Sequence, residues 1–169
     1  MRRISGQLLL LVLAALIMLP ACIKREEFPI EPYIEFVSFT KVQNTTGVDD
    51  KAIMTIYFTD GDGDLGLRDE DTLAPYNPDG DFYYNFLITY LEKENGVYDT
   101  VSLPFTNNSR IPLVNPDLVD KPIKGEIEIE LFINNPLSAV DTIAFDVQII
   151  DRALHKSNII RTPDLFVKK

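Results

Sequence analysis

The sequence predicts an all-β protein, an antiparallel β-sandwich of about seven strands. Apolar and polar residues alternate with a period of two along most of the chain, which is typical of strands that place one face on a core. Beyond the N-terminal apolar run, no segment carries an apolar stripe with the helical period of ~3.6 residues. Prolines interrupt the connections between the alternating segments. Together these patterns favour two packed sheets over a helical or mixed fold.

The predicted strands follow one another in seven segments. The clearest is residues 126–131 (EIEIEL), where glutamates alternate with aliphatic residues. Asn95 and Gly96 predict a tight hairpin turn, because both residue types tolerate the positive φ angles of such turns. Pro163 interrupts the last segment, which indicates an edge strand. The segments are residues 33–40, 52–59, 82–90, 97–103, 126–133, 143–149 and 159–167.

Strands of this kind, all within one domain over residues 33–169, favour an immunoglobulin-like topology. An open barrel is the alternative, and the strand pattern does not separate the two architectures. The chain has no internal repeat and no sign of a second domain.

The N-terminus predicts a lipoprotein signal peptide over residues 1–21. Two arginines precede residues 8–19 (LLLLVLAALIML), a charge-free apolar run shorter than the ~20 residues of a membrane-spanning helix. Residues 19–22 (LPAC) resemble a bacterial lipobox, in which the cysteine is lipidated and becomes the first residue of the mature protein. Cys22 is the only cysteine of the chain, and lipidation accounts for it. An ordinary secretory signal with an incidental cysteine is the alternative.

Charge limits the partners of the mature protein. Cleavage after residue 21 leaves 169 − 21 = 148 residues, and the loss of two arginines changes the formal net charge from −10 to −12. Nucleic acids and anionic lipids repel such a domain, so we expect neither as a partner. A chain with one cysteine forms no intramolecular disulfide, so packing or a metal ion must stabilise it.

Residues 22–32 are predicted to be the lipidated cysteine and its tether. A lysine, an arginine and two glutamates precede two prolines, a composition typical of an extended spacer. The charged part resembles the surface-export signal of Bacteroidota lipoproteins. This resemblance implies an outer-membrane protein that is held in the lipid bilayer through Cys22 and faces the cell surface. A plain solvated tether, with the domain on the periplasmic side, is the alternative.

Residues 60–64 (DGDGD) are the stretch most suggestive of chemistry. Carboxylates at alternate positions of a turning backbone can converge on one calcium ion, which takes about six to eight oxygen ligands. The spacing resembles the first half of an EF-hand loop, but Leu65 and Asp71 replace the glycine and glutamate of that motif. The sequence therefore predicts calcium as a cofactor in a loop that joins two strands, with the ligands Asp60, Asp62 and Asp64.

A second acidic turn, residues 77–81 (NPDGD), repeats this spacing just before the next predicted strand. If the two loops meet at one end of the sandwich, Asp79 and Asp81 belong to the same calcium site. Residues 69–71 (DED) lie between the loops and are further candidates. The alternative is that aspartate and glycine serve here only as preferred turn residues, with their carboxylates in water.

Catalytic devices are poorly represented, and we expect no enzyme. His155 is the only histidine, and it falls in a predicted hairpin turn where solvation is the usual state. One histidine without a free thiol makes neither a zinc site nor a nucleophile–base pair. A pair of carboxylates near residues 60–64 that hydrolyses glycosides is the alternative.

Three Asp-Thr-aliphatic triplets resemble the acceptor of Bacteroidota O-glycosylation. This resemblance implies candidate modification sites at Thr72, Thr100 and Thr142. The alternative is chance, because the residues favoured at strand starts produce the same triplets.

Three longer stretches resemble a group of small Bacteroidota lipoproteins. They are YFTDGDGDLGL at 57–67, IKGEIEIEL at 123–131 and DRALHKSNIIRTPDL at 151–165. The last stretch also resembles the penultimate hairpin of bacterial immunoglobulin-like domains, although Leu154 and His155 replace the usual Gly-Asn. The resemblance implies a cell-envelope location and a sandwich fold, and it implies no activity.

We therefore expect a membrane-anchored, non-enzymatic lipoprotein that serves as a binding or accessory module for an envelope protein or glycan. Tyr57, Tyr83 and Phe132 are candidates for contact with that partner. The alternatives are a carbohydrate-active hydrolase that uses the acidic loop and a purely structural subunit of an outer-membrane complex.

Overall fold

The computed structural model describes residues 26–114 and 120–169. The predicted signal peptide (1–21) and the predicted lipidation site, Cys22, lie outside these residues. Within the described ranges the chain is all-β, as predicted, and contains eight strands and no helix. The strands are β1 (Tyr33–Gln43), β2 (Asp49–Asp60), β3 (Phe86–Glu94), β4 (Val97–Thr100), β5 (Ile123–Phe132), β6 (Thr142–Ile149), β7 (Ile160–Arg161) and β8 (Leu165–Phe166).

The strands form two sheets, and every pairing in them is antiparallel. The first sheet has the order β1-β2-β5, and the second has the order β4-β3-β6-β7 with β8 also paired to β6. Strands one, two and five thus share one sheet, and strands three, six and seven share the other. This is the order of an immunoglobulin-like sandwich, so the predicted fold class is confirmed.

The core lies between the two sheets. β2 contributes Met54 and Ile56 from one side, and β6 contributes Phe145 and Val147 from the other, all fully buried. Tyr90 on β3 packs edge-on against Phe145, with ring centroids 5.7 Å apart. Burial of one large apolar side chain contributes about 1.5–3 kcal/mol. The inward members of the alternating pattern therefore hold the sheets together.

The observed bounds differ from the predicted ones at one or both ends of every strand, and the differences are largest at β3 and at the last predicted strand. β3 begins at Phe86 and not at residue 82, because the chain before it follows a different set of hydrogen bonds. The buried side chain of Asn85 accepts from the N–H of Ile111 at 2.6 Å and donates to its carbonyl at 3.3 Å. The last predicted strand is divided into β7 and β8 around Pro163, which has no N–H for a ladder.

The loop after β2 (61–85) and the loop after β6 (150–159) meet at one end of the sandwich. The N–H of Ile150 donates to the carbonyl of Asn85 at 2.9 Å, which joins the start of the second loop to the end of the first. The corresponding loops of immunoglobulin-like sandwiches also share an end. Side chains from both sheets can therefore meet there.

The N-terminus of the described chain lies at this same end. β1 starts at Tyr33, which pairs with Thr59 near the end of β2. At the second residue of β1, the side-chain amide of Asn158 accepts a hydrogen bond from the N–H of Ile34 and donates one to the Ile34 carbonyl, both at 2.9 Å. This single side chain ties the loop after β6 to the first strand. We call the end that carries residues 60–66, residues 150–158 and the N-terminal segment the acidic end.

Candidate metal centre

Four aspartates converge at the acidic end. Carboxylate oxygens of Asp60, Asp62, Asp64 and Asp151 all lie within 4.8 Å of one another. The first three occupy the end of β2 and the loop that leaves it, whereas Asp151 lies two residues beyond the end of β6. The cluster therefore combines carboxylates that lie at the ends of strands from both sheets of the sandwich.

The loop after β2 folds inward because of its glycines and one buried leucine. Gly63 and Gly66 have φ angles of +72° and +104°, which side chains rarely tolerate. A Cβ on Gly66 would also collide with the backbone of Pro112. The N–H of Leu65 donates to Oδ2 of Asp60 at 2.9 Å, and the Leu65 side chain is fully buried. This turn holds the alternate carboxylates on its inner side.

Three carboxylate oxygens in this cluster have no hydrogen-bond partner among the described residues. They are the Oδ1 atoms of Asp60, Asp62 and Asp64, and each is inaccessible to solvent. Asp60 as a whole residue has no exposed surface. Buried polar atoms in folded proteins almost always have a partner, and a buried charge without one is costly. Three such oxygens at one point indicate a site for a positively charged species.

The electrostatics of the cluster lead to the same conclusion. Burial and, after it, the neighbouring Asp62 carboxylate together raise the pKa of Asp60 to about 7. The pKa of Asp64 is raised to about 6, mainly by burial and then by the charges of Asp151 and Asp62. Hydrogen bonds from the backbone N–H groups of Ala153 and Arg152 oppose this shift. Like charges this close favour a proton or a cation between them.

The fourth aspartate is held in place by the only histidine of the chain. Asp151 accepts from the backbone N–H of His155 at 2.8 Å through Oδ1, and its Oδ2 lies 2.9 Å from Nδ1 of the same residue. Burial raises the pKa of Asp151, and the bond to Asp151 raises the pKa of His155. The predicted turn histidine is thus half-buried and orients a carboxylate of the cluster.

The donor set fits a hard cation such as calcium. Calcium prefers carboxylate and carbonyl oxygens, takes about six to eight of them and accepts irregular geometry. Four aspartates supply at least four, and water or backbone carbonyls can supply the rest. Zinc prefers nitrogen and sulfur ligands, and the one imidazole at this end already contacts Asp151 through Nδ1.

The structure does not bring the second acidic turn into this cluster. Asp79 and Asp81 are exposed and are not members of the group of four. Their turn folds on itself, since the N–H of Gly80 donates to the carbonyl of Asn77 at 2.7 Å. Asp71, another candidate, binds the guanidinium of Arg152 at 2.9 and 3.0 Å. This ion pair lowers the pKa of Asp71 to about 2 and leaves that carboxylate with a partner of its own.

Sequence reasoning missed Asp151. The signal that identifies it is positional: an acidic residue lies two positions beyond a buried strand, in the loop that an immunoglobulin-like topology places beside the loop after β2. Asp60 lies at the corresponding end of its own strand. Combining the predicted topology with the acids at strand ends would have paired the two.

The other predicted site residues lie apart from the cluster. Thr72 and Thr100 are exposed, and Thr142 is half-buried with its hydroxyl donating to Asp141 at 2.9 Å. Of the predicted contact aromatics, Tyr57 and Tyr83 are half-buried, and Phe132 is exposed beside Phe105. The structure carries no partner or modification, so these predictions stay predictions.

The fold and the cluster together define an immunoglobulin-like β-sandwich with a four-aspartate site between two loops at one end. No protein-family model, no curated protein and no solved structure matches this chain. Among residues 26–114 and 120–169 there is no helix with the length and apolar character needed to cross a membrane.

Proposed function

We propose that this chain is a calcium-stabilised, non-enzymatic module of the bacterial cell envelope, held at the outer membrane by a lipid on Cys22 and serving as a binding or accessory protein. One observation carries the calcium part: three buried, unpartnered carboxylate oxygens belong to a group of four converging aspartates. The envelope part is supported by the sequence, where residues 19–22 resemble a lipobox around the only cysteine.

Calcium at this position joins the two sheets. Asp60 ends β2 of the first sheet, and Asp151 follows β6 of the second, so one ion bound to both connects the layers beyond their apolar contacts. A chain with a single cysteine has no intramolecular disulfide for this purpose. An ion that binds only the folded state stabilises it by about 2.7 kcal/mol at a free concentration near 100 times its Kd.

The same geometry favours ion binding over glycoside hydrolysis. The two carboxyl groups of a glycosidase flank the scissile bond of a bound sugar and stand roughly 5–5.5 Å apart in retaining enzymes or roughly 6.5–9.5 Å apart in inverting ones. Here the carboxylate oxygens lie within 4.8 Å of one another, and Asp60 has no exposed surface. A sugar therefore has little access to the carboxylates of this cluster.

Calorimetric titration of the protein with calcium tests the first part of the proposal. We expect one binding site, with magnesium binding more weakly because it demands a stricter octahedral geometry. Asp60→Asn and Asp151→Asn should each weaken calcium binding at least tenfold, whereas the matched exposed variant Asp79→Asn should bind as the unaltered chain does. Equal binding by all three variants, or no binding by the unaltered chain, contradicts the calcium site.

Metabolic labelling with a radioactive fatty acid tests the anchor. The unaltered chain should carry the label and fractionate with membranes, and Cys22→Ser should lose both properties. A Cys22→Ser chain that keeps the label would exclude lipidation at this residue.

A further inference from the structure

We call the N-terminal segment of the described chain, residues 26–32, the strap, and residues 60–66 at the start of the loop after β2 the metal loop. The strap crosses the metal loop at Gly61. A Cβ on Gly61 would collide with the backbone carbonyls of Phe28 and Pro29. Gly61 stands between Asp60 and Asp62, two members of the four-aspartate group. The strap backbone therefore touches the loop at the residue that separates two ligands.

Contacts on either side of this point position the strap. At its start, Glu26 pairs with Lys124 through Oε2 and Nζ at 2.5 Å, and Lys124 lies on β5 opposite Thr59. Phe28 is half-buried, and Pro32 is buried at the entry to β1. Both of these terminal contacts lie at the acidic end. The strap is thus held on both sides of the point where it contacts Gly61.

The glycine at position 61 is explained by the strap and not by the loop conformation. The glycines of this loop with a left-handed φ are Gly63 and Gly66, and Gly61 is not among the residues with a positive φ. An alanine can therefore adopt the backbone conformation of Gly61. What excludes a side chain there is the strap above it.

We propose that cation binding by the four aspartates and docking of the strap on Gly61 are coupled, so that the ion controls how the domain is held on its tether. This inference rests on the calcium site proposed above. Without the ion, the carboxylates of Asp60 and Asp62 repel each other and the loop opens. The backbone of Gly61 then no longer offers a surface on which the strap can pack. With the ion bound, the two flanking residues are fixed and the strap docks. Linkage requires the converse, so a docked strap also raises the affinity for the ion.

Docking changes the reach of the tether. Glu26 is four positions beyond Cys22, a distance of at most about 14 Å in an extended chain, whereas Tyr33 is eleven positions beyond Cys22, at most about 40 Å. A docked strap holds the acidic end close to the predicted anchor. A released strap lets the domain stand off and reorient.

Hydrogen exchange of the full chain in detergent, measured by mass spectrometry, tests the docking. The two prolines of the strap have no exchangeable amide, and the other five residues have one each: Glu26, Glu27, Phe28, Ile30 and Glu31. Calcium alone should slow their exchange at least fivefold relative to a chelator. Unchanged strap exchange under conditions where calorimetry shows calcium bound overturns the coupling but leaves the calcium site intact. Absence of calcium binding overturns both.

A mutant cycle separates the strap from the loop. Gly61→Ala in the full chain should weaken calcium binding about five- to tenfold, the lower part of the range for coupled sites. A second variant, in which residues 26–31 are replaced by glycine and serine over the same length, should weaken binding by a similar factor. In that background Gly61→Ala should have no further effect. If Gly61→Ala weakens binding equally in both backgrounds, the effect arises within the loop and the proposal fails.

Discussion

The two ends of β2 carry the same residue in opposite states. Asp49 begins the strand and Asp60 ends it, and both are fully buried. Asp49 is paired on both oxygens: Lys41 Nζ lies 2.5 Å away, and Gln43 and the N–H of Lys168 donate at 3.0 Å. Burial opposes its ionisation, but these hydrogen bonds outweigh burial and lower its pKa to about 2.

At Asp60 the effects that raise the pKa outweigh those that lower it. One of its oxygens accepts from the N–H of Leu65, the other has no partner among the described residues, and its nearest charges are carboxylates. Its pKa is raised where that of Asp49 is lowered. Neither residue has exposed surface, but their hydrogen-bond partners differ, and that difference contributes to the opposite directions of the two pKa shifts. A buried aspartate with hydrogen-bond partners on both carboxylate oxygens has a structural role. A buried aspartate with an unpartnered oxygen indicates a binding site for a ligand.

The largest effect we expect comes from removing the incomplete carboxylate. With calcium near 100 times its Kd, Asp60→Asn should lower the free energy of unfolding by up to about 2.7 kcal/mol, the full loss applying if the variant no longer binds calcium. In chelator the same change should be neutral or stabilising, since it removes a repelling charge. Urea unfolding in the two media measures this difference. A loss of equal size in both media would mean that Asp60 acts without an ion.

Removing the completed carboxylate should cost slightly less and should not depend on calcium. Asp49→Ala deletes hydrogen bonds from Lys41, Gln43 and the backbone of Lys168, and bonds to a charged group contribute about 1.5–3 kcal/mol. We expect a decrease of about 2 kcal/mol in the free energy of unfolding with calcium or with chelator. Glu130→Gln, which breaks the exposed pair with Lys51, is the matched control and should change less than about 1 kcal/mol. A calcium-dependent loss in Asp49→Ala would remove the contrast between the two ends.

Acid should affect the Asp49 end in a defined window. The pKa of Asp49 is about 2 in the folded state and 3.8 in its ordinary state, so its stabilisation is present above pH ~4 and is lost as the pH falls towards 2. Lys41 is partly exposed, so solvent screening limits the loss to about 1–2 kcal/mol. Unfolding curves of the unaltered chain and of Asp49→Asn, both in chelator, should converge over this window. A constant gap between pH 6 and pH 2.5 would contradict the assigned partners.

The smallest effect should come from the acidic turn outside the cluster. Asp79→Asn and Asp81→Asn change exposed carboxylates that do not belong to the group of four. We expect the calcium affinity to stay within about twofold of the unaltered value, the residual change reflecting long-range attraction screened by salt. A tenfold loss in either variant would place the second acidic turn in the site.

The fold could be predicted well from the sequence because the alternation of polar and apolar residues within each strand shows which of its side chains face the core. Residues 126–131 alternate between glutamate and aliphatic side chains, and β5 exposes the glutamates and turns the aliphatic residues inward. The metal cluster was predicted only for its contiguous part, residues 60–64. Asp151 lies about ninety residues away, and its role depends on two loops meeting, which no local pattern records. Asp79 matched the local pattern but lies in a turn that folds back on itself.

The amide of Asn158 has a consequence for how copies of this protein coexist. β1 is an outer strand of its sheet, and the free backbone groups of outer strands are templates for pairing with another chain. Asn158 occupies both backbone groups of Ile34, and Pro32 just before it has no N–H to offer. The start of this edge is therefore closed to strand addition. In the proposed lipid-anchored state, where the domains share one bilayer, that protection matters most because edge-to-edge aggregation increases with local concentration.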